Sequence, residues 1–261
     1  MRIFAAAVLL SLISYNASYA GNEPALEVDA NLVTAVDVSG SIGMSGEGFQ
    51  FEAIATAIEH PDFLRAVARG YNHRIGFSII TWSSEGGFST VVGWTLISSA
   101  EHSRAIAKQL RQASPMERFG YTRPAPGSRR PIWRRGLSTD ISRAVHLALD
   151  WLDTAPFSSA RSVINLCTNG TDNVAEGPEF ARMRAIQSDT VINGLIIGDR
   201  PEIAAYFRDH IQTGPGSFVI EAEHRDDILN AMQRKFMLDL VINAEPAGDA
   251  SGGGFQLSQL D

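Results

Sequence analysis

Asn31-Leu32-Val33-Thr34-Ala35-Val36-Asp37-Val38-Ser39-Gly40-Ser41 is a run of strand-forming residues that stops abruptly in a Ser/Gly turn. Leu and Val suit a pleated, half-buried surface, and the run up to Val38 predicts a strand. The turn that follows offers side-chain oxygens at Asp37, Ser39 and Ser41, at i, i+2 and i+4. Gly40 and Gly43 permit the chain to curl so that the three converge on one point. One carboxylate with two hydroxyls is a hard, oxygen-only cluster, suited to Mg²⁺, Mn²⁺ or Ca²⁺ rather than to zinc. Asp and Ser in such places also make ordinary Asx turns and helix caps, so the triplet alone leaves both readings open.

Outward from this stretch, strand-like and helix-like segments alternate. Helical periodicity runs over Phe49–Ile58, with Phe51, Ile54, Ala55 and Ile58 on one side, and Pro61 opens a short helix through Arg69. Strands are expected over Arg74–Trp82 and Phe88–Trp94, followed by a helix over Ala100–Gln112. A helix over Asp140–Leu152 leads into a strand over Ser162–Cys167, a helix near Pro178–Ser188 and a strand over Val191–Ile197. Pro201–His210 (helix), Ser217–Ile220 (strand) and Asp226–Leu240 (helix) close the series. The alternation predicts an α/β fold: a doubly wound, mostly parallel sheet with helices on both faces. One such domain spans residues 25–243, and 244–261, with Gly252-Gly253-Gly254, reads as a flexible tail.

The 261 residues are 44% hydrophobic and 20% charged, enough apolar side chain for a sizeable core and too much for a disordered chain. A formal net charge of −7 argues against a generally basic nucleic-acid binder. The positive charge gathers in residues 117–136, where six arginines stand against one glutamate. Pro124, Pro126 and Pro131 exclude a regular helix there, so the stretch reads as an inserted basic loop. It is a solvated surface or a patch that steers an acidic partner. Cys167 is the single cysteine, so no intramolecular disulfide forms, and its apolar neighbours mark it as a small buried hydrophobe. At the front, Arg2, the apolar run Ile3–Ile13 and Ser18-Tyr19-Ala20 fit a secretory signal peptide over residues 1–20. The mature protein is therefore expected outside the cytoplasm, secreted or periplasmic, with no membrane span after cleavage.

Ligands of open α/β sheets sit at the carboxyl ends of strands, and two more loops there carry oxygen donors. Thr139, in Leu137-Ser138-Thr139-Asp140-Ile141, lies just before a helix, where its ordinary role is an N-cap. Asn169 follows the next long strand in Cys167-Thr168-Asn169-Gly170. Asp37-Val38-Ser39-Gly40-Ser41 at a strand end resembles the DxSxS pattern of von Willebrand factor type A domains. Thr139 falls where that family has a metal-binding threonine, and Asn169-Gly170 where it usually has Asp-Gly. The likeness extends over about residues 27–240. It is greater to a group of secreted bacterial proteins carrying a single such domain, on Val91–Ile97, Ile192–Leu195 and Gly214–Val219.

The resemblance implies a metal-ion-dependent adhesion site, with Ser39, Ser41 and Thr139 as direct ligands and Asp37 and Asn169 in outer positions. It further implies a non-enzymatic protein-binding module in which an acidic side chain of the partner completes the coordination. Asn169 departs from the family's usual aspartate, which leaves Asp37 as the one carboxylate of the set unless Asp172 folds inward. The alternative is a metal-dependent hydrolase of a phosphate ester or similar anion, for which Asp140 and Asp172 are the nearest general bases. Against an enzyme, no Gly-Lys-Ser/Thr phosphate loop, no Gly-x-Ser-x-Gly elbow and no His-Glu-x-x-His occur. The six histidines are scattered.

Overall fold

In a computed structural model, residues 24–84, 88–113, 138–174, 177–224 and 226–241 are described. The expected leader (1–20), the basic insertion (117–136) and the tail (244–261) lie outside these described residues.

The strands are β1 (Leu26–Glu27), β2 (Asn31–Asp37), β3 (Ile75–Trp82), β4 (Ser89–Ile97), β5 (Phe157–Ser158), β6 (Ser162–Thr168), β7 (Thr190–Ile197) and β8 (Val219–Ala222). The described helices are α1 (Gly43–Glu59), α2 (Pro61–Arg69), α3 (Ala100–Gln112), α4 (Ile141–Leu152), α5 (Glu179–Gln187), α6 (Pro201–His210) and α7 (Asp227–Val241). Six strands form one sheet in the order β4-β3-β2-β6-β7-β8. Every pairing in it is parallel except β3 with the edge strand β4. The mixed, mostly parallel α/β architecture read from the sequence is therefore the one present. Two short pieces were not legible in the sequence: β1 and β5, two residues each, pair in parallel as a separate small sheet.

Every residue of β2 is buried, as the apolar run requires of a strand sandwiched between helix layers. Leu32 and Val36 point into one core with α1, α2, α3 and α7. Val33 and Ala35 point into the other with α4, α5 and α6. From β2 the chain winds outward through β3 to β4, then returns to β6 on the other side of β2 and winds outward again. The strand order reverses between β2 and β6, and at such a switch point the loops leaving the two strands diverge and open a crevice. Asp37 ends β2 and Thr168 ends β6. Gly194 in β7 lets α6 approach closely, because a Cβ there would stand 2.7 Å from Phe207 Cε1.

A buried polar group ties α7 to the sheet. The Asp239 carboxylate accepts from Asn165 Nδ2 at 2.6 Å and from Asn193 Nδ2 at 2.7 Å. Lys235, fully buried, places Nζ 5.0 Å from the centroid of the Phe218 ring. Burial pushes the Asp239 carboxyl up against the pull of Lys235, and pushes the Lys235 ammonium down against the pull of Asp239. Cys167 is buried beside them, its thiol pushed up to about 12 by burial, which suits an inert core residue. No helix among the described residues is long and apolar enough to cross a membrane.

Candidate metal centre

The loop after β2 folds back on its own carboxylate. Asp37, fully buried, accepts the Ser39 backbone N–H on Oδ1 at 2.7 Å and the Thr168 hydroxyl on Oδ2 at 2.9 Å. The Ser39 hydroxyl and the Asn169 N–H also donate to it. Burial pushes the Asp37 carboxyl above its ordinary range despite these four donors. The curl turns Ser39 and Ser41 to the same side, with their Oγ atoms 3.3 Å apart. Gln50, one helical stretch later in α1, steadies the turn by donating to the Asp37 carbonyl at 3.1 Å.

The β6 loop closes the second side. Ser41 Oγ donates to Asn169 Oδ1 at 2.8 Å, joining residues 128 positions apart. The third side is the segment entering α4. Thr139 N donates to Asn173 Oδ1 at 2.9 Å, and Asn173 N donates to the Thr139 carbonyl at 3.0 Å. This reciprocal pair sets Thr139 against the β6 loop, where a Cβ on Gly170 would come within 3.1 Å of Thr139 Oγ1. Glycine at 170 therefore leaves room beside that hydroxyl. Ser39 and Thr139 are buried, Asn169 is half-buried, and Ser41 is exposed at the mouth.

All five residues singled out in the sequence thus meet at the switch point, carried by three separate loops. Two expectations change. The N-cap of α4 is Asp140, whose Oδ1 accepts the Arg143 N–H at 2.9 Å, so Thr139 does not serve as that cap. Asp172 does not fold toward the five. Its Oδ2 accepts the Ser142 N–H at 3.0 Å and its Oδ1 the Val174 N–H at 2.9 Å, which fixes it at the start of α4. Both carboxylates named as possible general bases are thus occupied by backbone donors. Sequence reading missed Thr168, Gln50 and Asn173, and also Tyr206, whose hydroxyl accepts the Asp172 N–H from α6. Thr168 had a signal, since it stands beside Asn169 at the end of the same strand.

The donors are hydroxyl and amide oxygens with one carboxylate. Among the described residues no group of three or more His, Cys, Asp and Glu is placed to hold an ion. The five residues fit a small hard cation in type, being oxygen donors on three loops, with the oxygens of Ser39, Ser41 and Asn169 linked in a hydrogen-bonded chain.

Residues 27–244 match the model of a von Willebrand factor type A-like family described as "Protein of unknown function (DUF1194)". The chain belongs to this family. The DUF1194 chain finds no match among the curated proteins. Among solved structures it is similar to proximal thread matrix protein 1 of the mussel byssus, with a TM-score of 0.54 and 15% identity over 82% of this chain and 49% of that one. A second structure of that mussel protein, with a zinc-occupied MIDAS motif, aligns at a TM-score of 0.52 and 15% identity, over 83% of this chain and 49% of that one. The von Willebrand factor domain of the type V pili tip protein Mfa5 from Porphyromonas gingivalis gives 0.51 and 11% identity, over 87% of this chain and 99% of that one. The chain spans about half the length of the mussel protein and nearly all of the Mfa5 domain. At these identities the likeness is one of fold: the DUF1194 chain is a von Willebrand factor type A module.

Proposed function

We propose that this module is exported and binds a protein partner through a divalent cation held at the β2/β6 switch point. Ser39, Ser41 and Thr139 are its direct ligands, with Asp37 and Asn169 behind them. The observation that carries the reading is the convergence of five oxygen-bearing side chains from three loops, linked by the Ser41–Asn169 bond at 2.8 Å. Asp37 fits an outer position because its oxygens already accept four protein donors, which leaves it to orient the serine loop and set its charge. When bound, the ion supplies positive charge at the mouth, where an acidic side chain of the partner completes the coordination. The donor set favours Mg²⁺, Mn²⁺ or Ca²⁺. In the mussel protein the corresponding motif holds zinc, and in Mfa5 the similar domain belongs to a pilus tip protein. Both accord with a binding role, and the occupied Asp140 and Asp172 weigh against a hydrolase.

The test is a pull-down from the native envelope with and without EDTA, paired with titration calorimetry of Mg²⁺ and Mn²⁺. A partner retained only with the ion, and lost in Ser41→Ala, supports the proposal. Turnover of a generic phosphate ester that depends on Asp37 overturns it.

A further inference from the structure

Asn-Gly occurs twice in this chain, at Asn169-Gly170 and at Asn193-Gly194. In such a pair the glycine nitrogen can close on the Asn side-chain Cγ, because glycine has no Cβ to crowd the approach. Ring closure needs the nitrogen to lose its proton and the Cγ carbonyl to be polarised, and the ring then needs water. The fold treats the two pairs in opposite ways. Asn193 is fully buried in β7, its Nδ2 donates to Asp239 at 2.7 Å and its Oδ1 accepts the Phe218 N–H at 2.9 Å. Gly194 N donates to the Phe218 carbonyl at 3.0 Å. With both ends of the amide held and the residue sealed from solvent, that pair is locked.

Asn169 and Gly170 are half-buried on the loop that leaves β6, where water reaches them. Ser41 Oγ donates to Asn169 Oδ1 at 2.8 Å. That bond draws electrons from Cγ and stands where negative charge gathers when a nucleophile adds. Gly170 N donates to Thr168 Oγ1 at 3.1 Å, and the Thr168 hydroxyl in turn donates to Asp37 Oδ2 at 2.9 Å. The proton that Gly170 N must lose therefore already faces an acceptor. Electrophile and nucleophile are each activated by a neighbour, on one loop, in one exposed dipeptide.

We propose that Asn169-Gly170 is a self-modification site at which the folded chain converts its own asparagine to an acid. Gly170 N bonds to Asn169 Cγ, the Cγ–Nδ2 bond breaks, and ammonia leaves with the proton taken from Gly170 N. Water then adds to a carbonyl of the resulting succinimide ring and leaves an aspartate or an isoaspartate at position 169. The step consumes only water. Either product puts a carboxylate on the β6 loop where the newly made chain has a neutral amide, so the candidate centre gains one negative charge after synthesis. The effect on an ion rests on the metal reading above; the modification does not.

The test is peptide mapping by tandem mass spectrometry of the full chain aged at neutral pH in EDTA, once folded and once in urea. The spectra read, residue by residue, the mass gained when an amide becomes an acid. Asn169 is expected to convert faster in the folded chain than in urea, and Asn193 to convert only in urea. Ser41→Ala, at an exposed position, slows the folded conversion about fivefold, the worth of one hydrogen bond, and leaves the rate in urea unchanged. Gly170→Ala crowds the nitrogen and slows conversion in both states. Slower conversion of Asn169 folded than in urea, equal conversion of Asn193 in the folded chain, or a folded rate untouched by Ser41→Ala overturns the proposal. Fresh and aged chains are then titrated with Mg²⁺. Tighter binding after conversion supports both readings, whereas conversion with no Mg²⁺ binding in either sample overturns the metal reading and upholds the modification.

Discussion

Asn169→Asp changes the charge of the candidate centre while keeping its shape. The two side chains are isosteric, and Ser41 Oγ can donate to a carboxylate as it does to Asn169 Oδ1 at 2.8 Å. The new anion stands near Asp37, which is fully buried and already receives the Asn169 N–H. At a separation of roughly 6 Å, two unit charges repel by about 3 kcal/mol at an effective dielectric of 20 and by under 1 kcal/mol in bulk water. Position 169 is half-buried, so about 1–2 kcal/mol is expected. In EDTA this lowers the melting temperature by about 2–8 °C for a domain of this size. With a divalent ion the same geometry works in reverse. The ion carries twice the charge, and an attraction of about 2–4 kcal/mol, reduced by desolvation, leaves a gain in affinity of at least about tenfold. Differential scanning fluorimetry in EDTA and in Mg²⁺, with titration calorimetry, reads both arms. A variant that melts like the wild type in EDTA and binds Mg²⁺ no more tightly shows that position 169 faces neither Asp37 nor an ion.

Three further outcomes follow from the structure. Ser41→Ala or Thr139→Ala lowers ion affinity at least about tenfold in calorimetry and leaves the melting temperature in EDTA within about 2 °C, since these hydroxyls hold no core contact. Gly194→Ala drives a methyl to 2.7 Å from Phe207 Cε1 and destabilises by about 1–3 kcal/mol in urea unfolding. Lys235→Met removes the main group opposing the rise of the Asp239 carboxyl above its ordinary 3.8. A carboxyl raised in the folded state favours folding when protonated, and that benefit is lost as pH rises through the folded-state value. The variant's deficit against wild type is therefore small near pH 4 and grows toward pH 7 in thermal melts; a deficit that shrinks with pH refutes it.

The fold was legible because its decisive features are local. The buried run of β2, the periodic apolar side of α4 and the proline openings of α2 and α6 each announce an element within a dozen residues. What escaped was set by distance. β1 and β5 are two residues each and exist because Leu26 finds Phe157 across more than a hundred positions. The last strand begins at Val219 rather than Ser217, because its register against β7 starts where Gly194 meets Val219. The first residues of α1, from Gly43, lie outside the periodic stretch because Gly43-Met44-Ser45-Gly46-Glu47-Gly48 carries no apolar spacing.

The site was legible to the extent that its residues sit at strand ends, where side chains answer to the loop rather than to the core. Spacing brought out Asp37, Ser39 and Ser41, which one turn gathers. Thr139 and Asn169 came from the rule that ligands gather at strand ends, and the resemblance then gave them their roles, since no spacing links residues on different loops. The capping residue of α4 separates the two readings of Thr139. Had Thr139 capped the helix, its hydroxyl would be held by a backbone N–H and turned from the crevice. Asp140 accepts that N–H instead, Asp172 takes the one before it, and Asn173 holds Thr139 by its main chain. Two carboxylates thus take orphan donors of the helix start, Asn173 takes the Thr139 N–H ahead of it, and the threonine hydroxyl is left beside Gly170. That arrangement frees the Thr139 hydroxyl from capping, which is the condition the proposed ligand role places on it.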